Sequence, residues 1–333
     1  MVSFASNDYL GLSCHPQVIA AARRALDQWG TGATASRLVV GHRPCHDDLE
    51  HELAAWKGCD AAVVLPTGYA ANLAVLGVVG GPDTVILSDE LNHASLIDGC
   101  RLSRSEVTVY RHSDLDDLDS LLARHRDRRL VVATDSVFSM DGDVVDLPAL
   151  AAVCSSHDAL LVLDEAHTVF ETDTPVDLSD MGAEVLRVGT LSKTLGSLGG
   201  YVAGPQNLVD LIINRARPFI FSTGSTPADT AAALAALRIV RSPEGVALVD
   251  RLRALVDRLA PGHPSPIVPI IVGGEAEALD AAAALAERGL LVPAIRPPTV
   301  APGTSRLRVT LSAVHSDDEV DRLCVALDEL GLR

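Results

Sequence analysis

The sequence predicts an α/β protein, a mainly parallel seven-stranded sheet flanked by helices and followed by a smaller α+β unit. Three observations carry that expectation. Short apolar runs alternate with helical patterns through most of the chain. The runs are nearly continuous in Val, Leu, Ile and Ala, which marks strands buried on both faces. The rhythm changes after Pro243.

The expected strands are Ala61–Leu65, Thr84–Leu87, Val107–Tyr110, Leu130–Thr134, Leu160–Asp164, Val185–Thr190 and Tyr201–Ala203. Helical patterns over Tyr69–Val79, Ala94–Ser103, Leu115–His125 and Leu147–His157 separate them. Such alternation builds a parallel sheet, because each helix returns the chain to the same starting edge. Beyond Pro243 come a helix (Glu244–Leu259), a Pro/Gly break (Pro261–Pro269) and a strand (Ile267–Val272). A helix (Ala276–Arg288), strands at Leu290–Ile295 and Leu307–Leu311, and a last helix (Asp317–Leu330) follow. The expected division is a short N-terminal segment over 1–40, a large unit over 41–242 and a small C-terminal unit over 243–333.

Composition narrows the function. With 48% hydrophobic residues in 333, a sizeable core is available, and with 3% aromatics it must be built from Ala, Val and Leu. A formal net charge of −17 argues against a nucleic-acid or anionic-membrane surface. An anionic ligand must then be caught locally, by backbone N–H groups or a few placed arginines. The six cysteines are scattered with no Cys-x-x-Cys pair, so a reduced, cytoplasmic protein is expected. Met1–Leu10 is polar and acidic, unlike a secretory leader. No apolar run reaches the roughly 18 residues that span a bilayer. Lys57 and Lys193 are the only lysines among 27 basic residues.

Five motifs carry candidate chemistry. In Gly189-Thr-Leu-Ser-Lys193-Thr-Leu-Gly-Ser-Leu-Gly-Gly200 the lysine follows a strand and enters a loop of small residues. Desolvation there lowers an amine's pKa and frees it for Schiff-base chemistry, and Thr190 and Ser192 can ligate a phosphate. The alternative is a surface lysine in a Gly-rich loop. In Leu160-Leu-Val-Leu-Asp164-Glu-Ala-His167 an acid ends a buried strand, facing the crevice where α/β sheets bind ligands. It can pair with a protonated pyridine-type nitrogen, with His167 close by. Gly68, before Tyr69, bares N–H groups at a strand-to-helix junction, which suits a phosphate. His93 opens a helix after a strand and can stack on a ring or simply cap the helix. Ser139 offers a hydroxyl after a fifth strand. A parallel sheet would converge all five at one edge.

Two other motif readings compete with this constellation. Asp164-Glu-Ala-His167 also matches the box of nucleotide-driven helicases, but that machinery needs a Walker A loop and none occurs. The stretch Gly41-His42-Arg-Pro-Cys45-His46 invites a metal reading. Pro44 should start the helix and leave His42 outside it, so a structural role is expected and no metal site.

These motifs resemble those of the α-oxoamine synthases, fold-type I enzymes dependent on pyridoxal 5'-phosphate (PLP), over nearly the whole chain. The matching blocks are Ser6–Leu12, Asn92–Ser95, Phe138–Gly142, Asp164–His167, Gly189–Lys193, Pro218–Thr223 and Ala294–Leu311. The resemblance implies that Lys193 bonds the cofactor and then serves as base at the substrate Cα. Asp164 would pair with the pyridine nitrogen, His167 and Ser139 would meet the ring oxygen, and His93 would stack on the ring. Gly68, Tyr69 and Thr190 would hold the phosphate, with Ser222 and Thr223 reaching across from a second subunit of a homodimer. Arg308 would take the amino acid's carboxylate, and Arg296 and Thr299 would line the entrance. The C-terminal block implies condensation of L-alanine with a pimeloyl thioester of CoA or acyl carrier protein, with loss of CO2, to give 8-amino-7-oxononanoate for biotin assembly. The alternatives are a glycine C-acetyltransferase, 5-aminolevulinate synthase or serine palmitoyltransferase type, or a PLP-binding homologue without catalysis. The chain departs from the family in the arm before Ser6–Leu12 and in a shorter stretch between Arg251 and Pro269.

Overall fold

The computed structural model describes residues 1–170 and 182–333. The chain opens with a two-residue strand, β1 (Val2–Ser3). The large sheet then follows as β2 (Ala61–Leu65), β3 (Thr84–Asp89), β4 (Glu106–Tyr110), β5 (Arg129–Asp135), β6 (Leu160–Asp164), β7 (Val185–Thr190) and β8 (Gly200–Gly204). The last third carries β9 (Ile267–Gly273), β10 (Leu290–Leu291), β11 (Ala294–Ile295) and β12 (Ser305–Thr310).

The large sheet has the order β2-β8-β7-β6-β5-β3-β4. Only β8 runs antiparallel to its neighbours, so the sheet is mainly parallel, as the apolar runs predict. Strands β3, β5, β6 and β7 therefore end at one edge. Helices cover both faces. Gly68–Val79, Ala94–Leu102 and Gln206–Arg215 pack one apolar layer around Val63, Ile86, Val131 and Val188. Leu115–Arg124 and Leu147–Ser156 pack the other around Leu87, Val132 and Leu161. Successive residues of one strand thus feed opposite layers, which is why these strands read as unbroken apolar runs.

The smaller sheet is antiparallel, β11-β12-β9, and Glu275–Glu287 packs on it. The expected strand Leu290–Ile295 is interrupted. Leu290 and Leu291 pair with β1, whereas Ala294 and Ile295 pair with β12. Pro293 lies between them and has no N–H to give a ladder; its carbonyl accepts from Arg308 N at 3.0 Å. The N-terminal stretch is stitched to β12, with Thr310 N on the Phe4 carbonyl and Ala313 N on the Tyr9 carbonyl, both at 2.8 Å. Tyr9 is thereby carried to the large sheet's ligand edge.

The helix Pro44–Lys57 starts at Pro44, so His42 lies outside it. Buried His46 serves that helix start, where its Nδ1 accepts from Arg43 N at 3.0 Å, and its Nε2 lies 3.0 Å from the Ser225 carbonyl. Lys57 is also buried, with Nζ 2.7 Å from Glu165 Oε2, and Arg187 binds the other oxygen of Glu165. Burial alone would raise the Glu165 carboxyl, but Lys57 and Arg187 outweigh it and hold it below its ordinary value. Removing one member would strand a buried charge, which is far costlier than losing a surface pair. No helix among the described residues is long and apolar enough to cross a membrane.

Candidate active site

The site lies where the parallel strands end. Asp135 and Asp164 are register partners at the tips of β5 and β6. Asp164 accepts from Asn72 Nδ2 at 2.6 Å and from Ala166 N at 2.9 Å, so both of its oxygens are aimed. Asp135 accepts from His93 N at 2.8 Å. Burial and the neighbouring Asp164 raise the Asp135 carboxyl well above the usual range. Asn92 bridges the strand ends, donating to the Ala133 carbonyl at 2.7 Å and accepting from Asp135 N at 3.1 Å.

Lys193 follows β7 in a turn closed by Gly196, whose φ of +59° suits glycine and whose N–H bonds the Lys193 carbonyl at 2.9 Å. The Lys193 amine lies 2.9 Å from His167 Nε2. Burial pulls it below its ordinary pKa, against the opposing pull of Asp164 and Asp135. His167 is 5% exposed; burial, then Lys193 and Arg308, hold its imidazole well below its usual value. Lowering an amine's pKa enlarges the share of its neutral form, in which lysine acts as a nucleophile and base.

Of the two roles the sequence allowed, His93 shows the helix cap. Its Nδ1 accepts from Ser95 N at 3.3 Å and so caps Ala94–Leu102, while the side chain stays exposed at the rim. Thr190 Oγ1 lies 2.7 Å from Ser192 Oγ and donates to the Gly199 carbonyl at 3.0 Å. Gly68 faces Thr190 so closely that a Cβ there would lie 3.1 Å from Thr190 Cβ. Gly200 makes this possible, since a Cβ on it would meet the Thr67 carbonyl at 2.4 Å and Gly68 N at 2.6 Å. The first N–H groups of Gly68–Val79 have no acceptor within the helix and lie beside this hydroxyl pair.

Arg308, on β12, reaches the same crevice. Its Nε donates to the Ser139 carbonyl, Nη1 to Thr310 Oγ1 at 2.8 Å and Nη2 to Asn7 Oδ1 at 3.2 Å. Ser139 thus joins through its backbone carbonyl. The Tyr69 hydroxyl instead donates to Asp98. Arg296 is exposed, 3.9 Å from Glu275, and Thr299 N closes a turn onto the Arg296 carbonyl. Ser222 and Thr223 follow the short helix Arg217–Ile220. No hydrogen bond or ion pair among the described residues ties Ser222, Thr223, Arg296 or Thr299 to Lys193.

Motif reading by itself passed over Asn72, Asp135, Asn7 and Tyr9 as site residues. Asn72 left a signal, an amide inside an otherwise apolar helix. Tyr9 left none, because its partner lies 158 residues away.

The residues present fit PLP. A half-buried amine, an aimed carboxylate, a rim imidazole and an anion cradle face one crevice, and the buried Asn72 Oδ1 has no hydrogen-bond partner among the described residues. Fold and site together define a fold-type I PLP-dependent transferase. The family model for aminotransferase class I and II matches residues 1–327, and the chain belongs to that family. Within it, an 8-amino-7-oxononanoate synthase of Anaeromyxobacter dehalogenans is 49% identical, over 98% of this chain and 85% of the relative. A serine palmitoyltransferase from S. paucimobilis, solved with a bound PLP–myriocin aldimine, superposes with a TM-score of 0.93 at 27% identity, over 100% of this chain and 88% of that one. The 8-amino-7-oxononanoate synthase from Francisella tularensis shares the fold, with a TM-score of 0.83 at 24% identity over 99% and 98%.

Proposed function

We propose that this chain is a PLP-dependent acyltransferase that condenses L-alanine with a pimeloyl thioester, carried by CoA or acyl carrier protein, to give 8-amino-7-oxononanoate with release of the thiol and CO2. The observation that carries the reading is the Lys193 amine held 2.9 Å from His167 at the strand edge that also bears Asp164. The similarity to 8-amino-7-oxononanoate synthases over nearly the whole chain supports the choice of substrates.

PLP, when bound, supplies the electron sink that loss of an α-proton requires. The chain's residues do the rest. Asp164, oriented by Asn72, would hold a proton on the pyridine nitrogen, and His93 would stack on the ring. His167 and the Ser139 segment would meet the ring oxygen, while Gly68, Tyr69 and Thr190 would hold the phosphate. Lys193 would anchor the cofactor and then serve as base at the amino acid's Cα. Arg308 would hold the carboxylate, and Arg296 and Thr299 would line the entrance for the thioester. Fixing the reactants in this way replaces a bimolecular encounter by an aligned one.

The site is completed by a second copy of the chain, through Ser222 and Thr223. Beside them Phe221 is 69% exposed, and Gly224 N bonds the Ala35 carbonyl at 3.0 Å, which sets Leu38, Val39 and Val40 close by, all exposed. An apolar patch of this kind is characteristic of an interface. We read 41–242 as the cofactor-binding unit and 243–333 as the unit that delivers Arg308. The six free thiols agree with a reducing, cytoplasmic setting.

Thiol release should be measured with alanine, glycine and serine, each against pimeloyl, acetyl and succinyl thioesters. Alanine with the pimeloyl thioester is expected to be fastest; another fastest pair would assign a sister activity, and release with none would leave a non-catalytic homologue. Wild-type protein should turn yellow with PLP and Lys193→Ala should not. A wild-type protein that stays colourless would refute the reading.

A further inference from the structure

Tyr9 meets His167 from the side opposite Lys193. Its hydroxyl lies 2.5 Å from His167 Nδ1, while the Lys193 amine lies 2.9 Å from Nε2. The two rings meet edge to face with centroids 6.1 Å apart, and Tyr9 is fully buried. The position of the hydroxyl hydrogen follows from its neighbours. Burial raises the Tyr9 phenol above its ordinary value, so it keeps its proton and must place it on an acceptor. Two acceptors lie within reach, His167 Nδ1 at 2.5 Å and Asn7 Oδ1 at 3.4 Å. The Asn7 oxygen already accepts from Arg308 Nη2. The shorter contact, to the acceptor without another donor, takes the hydrogen.

A neutral imidazole that accepts at Nδ1 carries its own hydrogen on Nε2. Burial, above all, disfavours a further proton on His167. We propose that Tyr9 is a positioning residue whose hydroxyl locks His167 as the Nε2–H tautomer, so that the imidazole donates toward an anionic oxygen bound beside it. The tautomer is a property of the chain alone. Its use, donation to the ring oxygen of PLP, rests on the function proposed above. The lock also links two halves of the site, because Arg308 flanks Tyr9 and shares Asn7 with it. The residue that orients the imidazole thus stands beside the residue that takes the carboxylate.

The test is nitrogen NMR of histidine-labelled, cofactor-free protein, with the His167 signals assigned by their loss in His167→Gln. The wild type is expected to show a bare Nδ1 and a protonated Nε2, and Tyr9→Phe is expected to shift both nitrogens toward a tautomer mixture. In the PLP-loaded enzyme kcat should fall by about fivefold, the loss of one buried hydrogen bond, with the KM for alanine nearly unchanged. A merely structural role for Tyr9 would lower the melting temperature without moving the nitrogens. A wild-type His167 protonated on Nδ1 overturns the proposal even if Tyr9→Phe fails to fold, and so does a Tyr9→Phe spectrum identical to wild type. The predicted tautomer in a protein that binds no PLP would instead overturn the proposed function and leave the lock standing.

Discussion

Arg308→Lys keeps a positive charge in the crevice and removes the planar fork. A guanidinium has five N–H donors. Among the described residues Nε donates to the Ser139 carbonyl, Nη1 to Thr310 Oγ1 and Nη2 to Asn7 Oδ1, with Tyr9 also against the group. A carboxylate accepts a pair of guanidinium N–H groups side by side. Lysine replaces the pair by a single point charge on a flexible stem. One charge-assisted hydrogen bond is lost, worth about 1.5–3 kcal/mol, or roughly 10- to 150-fold in kcat/KM for the amino acid. The loss should fall mainly on KM, because the carboxylate is held before and after the proton leaves. The assay is initial thiol release against alanine concentration at saturating thioester, with the visible absorbance of bound PLP as control. An unchanged KM would refute the assignment. Loss of the PLP absorbance would show that Arg308 serves the cofactor instead.

Two further predictions concern stability. His112 bridges Asp143 at 2.8 Å and Asp89 at 3.0 Å, and these carboxylates raise its pKa to about 10. The unfolded value is about 6.5, so the bridge stabilises fully below that pH and is lost as pH climbs toward the folded value. His112→Gln should therefore lower the melting temperature more at about pH 6 than at about pH 10, and equal deficits would contradict the reasoning. Gly189→Ala would place a Cβ 2.3 Å from the ring of buried Tyr201. Calorimetry should show a loss of about 1–3 kcal/mol, and an unaltered transition would mean that the ring has room to move.

Much of the site was legible because it is a property of strand ends. Lys193, Asp164 and His93 each follow an apolar run closely, and parallel strands bring such positions to one edge whatever their order. The order itself, with β8 between β2 and β7, was not legible. Strand pairing is decided by ladders between segments far apart in sequence, and an apolar run carries no label for its partner. The break at Val292-Pro293 was half visible, since the proline is plain to see but the capture of Leu290–Leu291 by β1 is not.

Hydrophobic periodicity and chain direction are local properties, so residue order alone is enough to gather amine, carboxylate, imidazole and hydroxyl groups at one edge of a parallel sheet. What each group faces is settled by the fold. It seals Lys57 against Glu165 and opens Lys193 onto His167, although both are lysines with a buried stem. It also sets Tyr9 against His167 across 158 residues. Those outcomes depend on which surfaces meet when the layers close, and packing between distant segments leaves no periodic trace in the chain.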